Sequence, residues 1–371
     1  MLTQKINTEE IIERRRRFFA GEMRDQILLS VHGLQNYKYN SPAAAMERAL
    51  NLPVYGEWID SLPPAETLVN GELAGIGDFL EIEDDHLPVI DPYRHFGHVS
   101  MIGAMGFNVR YFSQLCRIGS DTPDRVSSVD ELLNVQMPLK NNPLLDKIAS
   151  YIATYKQKGC EQILLSPYVM MDGLHVLTQL RGYETAYLDL YDNPDTVHRF
   201  FEHITGITAS FFDFMTEQNG SYRGGWVCDR VDWTPGRCIS LNLDDYLACA
   251  NDIFIEFGAP WMQRLIDHAG FGLIHYHTPD PRVLRDVVKL KNIAIQIGSD
   301  PVLPEPIETI TELRKITGDI PLTWIRIKRD DFLKRIKEKT LPGGIEYVIE
   351  NALDIDDACR LAEIARAYKA Y

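Results

Sequence analysis

The sequence has no stretch near the eighteen or so consecutive apolar residues that a membrane span requires, and its N-terminus lacks the apolar core of a secretory leader. It has no CxxC pair. Six cysteines (Cys116, Cys160, Cys228, Cys238, Cys249, Cys359) are scattered over 371 residues, so free thiols are expected rather than a disulfide framework. Positive charge is short as well: 38 Lys and Arg stand against 53 Asp and Glu, a net charge of −15. That balance argues against a nucleic-acid surface and against docking on anionic membranes. No linker-like run divides the chain. What remains is an acidic, cytoplasmic, globular protein, residues 1–371 forming one domain, that works on small molecules or on another protein.

Short apolar runs alternate with helical patterns. Candidate strands begin near Gln26, Phe79, Asn108, Gln162, Gly225, Leu273, Asn292 and Pro321. This alternation, and a count near eight, predict an α/β fold: a single (β/α)8 TIM-type barrel with residues 1–25 as a helical N-terminal extension. In that extension Asn7 to Glu10 caps a helix, and Arg14 to Arg17 read as its solvated face. Asn142-Pro143 and Asn193-Pro194 start two further helices. In the second, Val197, Phe200, Phe201, Ile204, Phe211, Phe212 and Met215 recur at helical spacing and are core. Glu83 to His86 read as a solvated acidic loop or a cation site, and Tyr93 to His98 as a lid or rim segment.

The segment Phe271 to Asp280 carries the clearest chemistry. It is an apolar strand ending in His275-Tyr276-His277, followed at once by a helix start at Asp280-Pro281. Strand side chains alternate, so the two imidazoles share a face. A same-face histidine pair at the carboxyl end of a strand suits a metal centre where α/β barrels carry their active sites. Candidates for a third ligand or a nearby carboxylate are Cys228, Asp229, Glu256 and Asp300. Tyr168 can donate a hydrogen bond to substrate and Arg326 can pair with an anionic group. His32 and His175, after other strand ends, are further substrate-binding candidates.

Several segments resemble the uroporphyrinogen decarboxylase superfamily: Arg181-Gly182 followed by Leu188 to Pro194, Phe254 to Trp261, the His275-Tyr276-His277 strand end, and Asp354 to Tyr368. The resemblance covers most of the chain from about residue 160 onward. It implies a β/α barrel. True decarboxylases of that superfamily carry an arginine-bearing glycine loop after the first strand, which grips the acids of the tetrapyrrole; here that place reads Val31 to Lys38 with no arginine. The resemblance is therefore closer to the zinc- and corrinoid-dependent methyltransferases, whose strand end reads His-x-Cys where this chain has His275-x-His277. It implies zinc as cofactor, a methyl-corrinoid carried by a partner protein, and methyl transfer between a small substrate and that corrinoid or a thiol. Decarboxylation of a small anion, and a non-catalytic ligand-binding barrel, are the other expectations; so is a homodimer.

Overall fold

The computed structural model describes residues 4–34, 64–90, 96–114, 117–158, 164–165, 170–229, 231–277, 281–299 and 304–370. Its strands are β1 (Ile27–Val31), β2 (Val89–Ile90), β3 (Arg110–Gln114), β4 (Arg117–Asp121), β5 (Leu164–Leu165), β6 (Trp226–Cys228), β7 (Val231–Thr234), β8 (Ile239–Asn242), β9 (Gly272–His277), β10 (Ile293–Gly298), β11 (Leu322–Arg326) and β12 (Ile345–Ile349). Six of them form a parallel sheet in the order β1-β12-β11-β10-β9-β8, and β2 pairs in parallel with β5. Two contacts run between these groups: the Asp85 N–H donates to the Leu29 carbonyl at 2.8 Å, and Met170 bridges Leu241 in parallel. The fold is α/β with a parallel sheet, as the alternation predicts.

Period-two patterning gives each strand of the sheet two faces. Leu29, Val31, Ile274, Tyr276, Ile295, Ile297, Tyr347 and Ile349 point into the main apolar core, which the helices cover. Leu28, Leu273 and Ala294 belong instead to small clusters on the other face. The helix Pro143–Gln157 starts as its sequence predicts, Asn142 accepting from the N–H groups of Leu144 and Leu145. In the helix Pro194–Asn219 the predicted aromatics are buried. The pattern from Ile253 to Asp267 predicts one helix despite Pro260; the structure has a π-helical turn at Phe254–Gly258 and then Ala259–Ala269, consistent with the backbone donor that Pro260 lacks.

The N-terminal helix Thr8–Phe19 lies across the amino ends of the strands. Ile11 and Ile12 pack with Leu87, Leu164, Val227 and Trp233, while Phe18 packs with Leu28. Its arginines are not all solvated. Arg15 is fully buried, pairing with Asp232 at 2.6 Å and Glu346 at 2.8 Å, and Arg14 grips Asp85 at 2.6 and 3.1 Å. In the acidic loop Glu83 is solvated, but Asp84 and Asp85 are buried and, among the described residues, are not grouped for a metal ion. Asp84 and Asp85 accept the backbone N–H groups of Val31 and Leu29 and pair with Lys5 and Arg14, so carboxylates occupy the hydrogen-bonding edge of β1.

Three of the eight predicted strands fall elsewhere. Phe79 lies in a 3-10 turn, Gly77–Glu81; the Asn108 segment leads into the antiparallel pair β3–β4; Gly225 opens the antiparallel hairpin β6–β7. That hairpin is preceded by Arg223 and Gly224, both at positive φ, a turn rather than a run-in to a parallel strand. The parallel strands not anticipated are β2, β8 and β12.

Candidate metal centre

β8 and β9 run side by side with Asn242 opposite His275. Two residues beyond β8, Asp244 opens a short helical turn, its N–H donating to the Asn242 side chain at 2.9 Å. The carboxylate is pinned from the other side, where the His277 N–H donates to Asp244 Oδ1 at 2.8 Å. Asp244 Oδ2 then stands 4.0 Å from Nε2 of His275 and 4.0 Å from Nε2 of His277. The two imidazole rings lie nearly at right angles, centroids 5.0 Å apart. Among the described residues these three are the group whose donor atoms, all within 4.8 Å of one another, can hold a metal ion.

The donor set fits a divalent transition metal: two imidazole nitrogens and one carboxylate oxygen suit zinc, with room for a fourth ligand. Donors each about 2.0–2.1 Å from a tetrahedral zinc stand about 3.4 Å apart, so the 4.0 Å separations close by small side-chain rotations. Gln296 supports the arrangement. It is paired with His275 across β9–β10, and its side-chain oxygen accepts from His275 Nδ1, which leaves the Nε2 lone pair directed at Asp244.

A cavity of about 140 Å3 opens beside the triad, walled by His275, His277, Gln296, Gly298, Trp324 and Arg326. Arg326 is half-exposed and pairs with Glu350 at 3.2 Å. His175, on the first turn of the helix Gly173–Arg181, lies near Asp244; burial pushes its imidazole down to about 4, and the Asp244 charge opposes that shift. Asp172 caps the same helix, accepting from the His175 N–H at 2.8 Å. Burial raises its carboxyl to about 8, against the pull of the N–H groups it accepts from. His32 packs against Trp324, ring centroids 4.5 Å apart, and against His86 at 4.2 Å. Its pKa is held well below the usual imidazole value by burial and by the neighbouring His86. Asp232 Oδ2 is 2.8 Å from His86 Nδ1. Burial works against the Asp232 charge, but His86 and Arg15 outweigh it and hold that carboxyl low.

Of the residues expected from the sequence, His275 and His277 meet in one group, with His175 and Arg326 close by. Cys228 does not join them. It packs with Cys238, Val231, Leu273 and Ala294 near the amino ends of β9 and β10, and His277 is four residues further along β9, about 13 Å at strand spacing. Asp229 lies in the turn of the β6–β7 hairpin rather than at the end of a parallel strand. Glu256 is exposed on the π-helical turn, 3.3 Å from His198. Tyr168, Asp300 and the first part of the expected lid, Tyr93 to His95, lie outside the described residues. Asp244, Gln296 and Trp324 are the residues sequence reasoning missed. The signal for Asp244 was a short alternating run, Ile239 to Asn242, with an acidic exit.

No family model matches the chain, and no curated protein matches it. Among the described residues no helix is long and apolar enough to cross a membrane.

Proposed function

We propose that this protein is a zinc-dependent methyltransferase akin to the uroporphyrinogen decarboxylase superfamily, moving a methyl group between a small substrate and a corrinoid protein or a thiol in the cytoplasm. The observation that carries the reading is the convergence of Asp244, His275 and His277 at the carboxyl ends of adjacent parallel strands. The fold belonging to this reading is one (β/α)8 barrel. In that reading the six strands of the main sheet, with β2 and β5, would make up the eight, and the Asp85–Leu29 and Met170–Leu241 contacts support closure between the two groups.

Zinc bound by the triad supplies a Lewis acid for the heteroatom that carries or receives the methyl group. The chain's own residues do the rest. Gln296 holds the proton on His275 Nδ1, Asp244 and the two histidines present their donors to one point, and Trp324 lines the cavity beside them. Arg326 offers a guanidinium to an anionic group. That same arginine favours the second reading, decarboxylation of a small anionic substrate.

Elemental analysis of protein purified without chelator tests the first reading: one zinc per chain is expected, lost from His277→Ala and Asp244→Ala variants that keep the wild-type circular dichroism. Methyl transfer from a methylated thiol, amine or ether to free cob(I)alamin kept reduced by a chemical reductant, releasing the thiol, amine or alcohol and followed by the absorbance of methylcobalamin, tests the activity. Protein without metal, unaffected by added zinc, overturns the reading, and release of carbon dioxide from small carboxylates then decides for the second.

A further inference from the structure

β11 is broken at Trp324. Between Leu322 and Ile325 its pairing with β12 slips: Leu322 faces Ile345 and Ile325 faces Tyr347, so three steps along β11 answer two along β12. Trp324 is the extra residue and takes a φ of 59°, left-handed backbone that a bulky L-residue rarely adopts. The consequence is a change of phase. Leu322 and Ile325, three residues apart, both face the main apolar core. In an unbroken strand Arg326 would share the face of Leu322 and point into that core. With the bulge, Trp324 and Arg326 both line the cavity beside the triad. Bulges re-aim side chains next to active sites, and backbone strain gathers where binding needs it.

The indole is packed. His32 touches it with the ring planes tilted by 50°, His86 packs on His32, and Asp232 holds His86. A pocket-lining ring packed in this way has little freedom to lose on binding. The Arg326 guanidinium has five N–H donors and, among the described residues, one half-exposed ion-pair partner, Glu350. A water-screened pair of that kind contributes little, so a second carboxylate can be seated on the same arginine. The cavity, about 140 Å3, is of the size of an engineered cavity of about 150 Å3 that accommodates benzene.

We propose that the pocket takes a small planar carboxylate, its flat ring stacked on Trp324 and its carboxylate on Arg326, the remainder of the molecule reaching toward Asp244, His275 and His277. This deepens the reading above by naming its substrate class, and rests on the pocket being the reaction site.

The test is calorimetric titration of the full chain with benzoate as probe. Three comparators separate the contributions: cyclohexanecarboxylate keeps the charge without the flat ring, benzamide keeps the ring without the charge, and phenyltrimethylammonium reverses the charge. Benzoate is expected to bind more tightly than all three. Arg326→Gln should weaken benzoate about tenfold or more while leaving benzamide unchanged. Trp324→Leu should abolish the preference for benzoate over cyclohexanecarboxylate, and Trp324→Phe should keep part of it. Because Arg326 is half-exposed, its variant folds and remains decisive where a Trp324 variant does not. The proposal is overturned by any of three results: no benzoate binding at millimolar concentration, benzamide or the ammonium binding as tightly, or unchanged affinity in Arg326→Gln. Titration after chelation keeps the two readings apart, since neither Trp324 nor Arg326 belongs to the triad. Benzoate binding by a protein that holds no metal as purified without chelator sinks the zinc reading alone. A zinc-loaded protein that ignores benzoate sinks the substrate class alone.

Discussion

Gln296 sits directly opposite His275 in the β9–β10 ladder, and its side-chain oxygen takes the proton-bearing Nδ1 of that histidine. The pairing is fixed by backbone register, so the imidazole is oriented before any ion arrives. Gln296→Leu keeps the bulk and removes the acceptor; metal affinity measured against a competing chelator should fall about 10–100-fold. Gln296→Glu, which restores an acceptor, should recover most of it. Equal affinities in all three proteins would remove Gln296 from the centre.

Gly298 offers a steric probe of the same site. A methyl group there would stand 2.9 Å from Cε1 and 3.0 Å from Nδ1 of His277. Gly298→Ala should therefore turn the His277 ring away and weaken metal binding by about tenfold, the cost of a disturbed ligand, with little change in melting temperature. Unaltered metal affinity would mean that the ring has room to move without leaving the ion.

Arg15 concerns stability alone. It is fully buried between Asp232 and Glu346, two carboxylates that also lie out of water. Arg15→Met leaves Glu346 without its cation and Asp232 with His86 alone, and should cost about 3–5 kcal/mol in urea denaturation. Adding Glu346→Gln and Asp232→Asn to that variant should recover a substantial part. If the triple variant is no more stable than Arg15→Met, the loss is one of packing rather than of charge.

Asp172 gives a pH signature. Its folded carboxyl titrates at about 8 because it is buried, whereas an unfolded aspartate titrates near the ordinary value of 3.8. Between those values the folded state holds a proton that the unfolded state has released, so this group makes stability fall as pH rises, by at most about 1.4 kcal/mol per unit. Below about pH 4 and above about pH 8 its contribution is flat. Asp172→Asn keeps the acceptor for the His175 N–H and should flatten that slope in denaturation curves taken from pH 5 to pH 8. An unchanged slope would show that Asp172 ionises normally.

Local signals carried much of the fold. The runs at Ile27, Leu273, Ile293 and Leu322 are short, apolar and end in polar residues, and each is a strand of the parallel sheet. Capping residues and helical spacing located the helices Pro143–Gln157 and Pro194–Asn219. What local signals could not carry is pairing between distant segments. The arginine run reads as solvated because its partners are remote: Asp85 is 71 residues beyond Arg14, and Glu346 is 331 beyond Arg15. β8 has four residues and no strong hydrophobic run, while the longer segment before it mimics a parallel strand and folds as a hairpin. Asp244 was missed along with β8. The bulge at Trp324 depends on where β12 pairs, which no window around residue 324 contains.

The link between Arg15 and Glu346 also sets a timetable. The ribosome delivers the helix that covers the amino ends of the strands well before one of its two buried carboxylate partners, which follows 331 residues later. At about 5–20 residues per second the interval is roughly 15–65 seconds. For that time the Arg15 guanidinium has to stay hydrated, because its full burial requires both carboxylates. The base of the sheet is therefore sealed only after Glu346 is made, by a segment made much earlier, and a nascent chain halted before Glu346 leaves that end open to solvent and to chaperones.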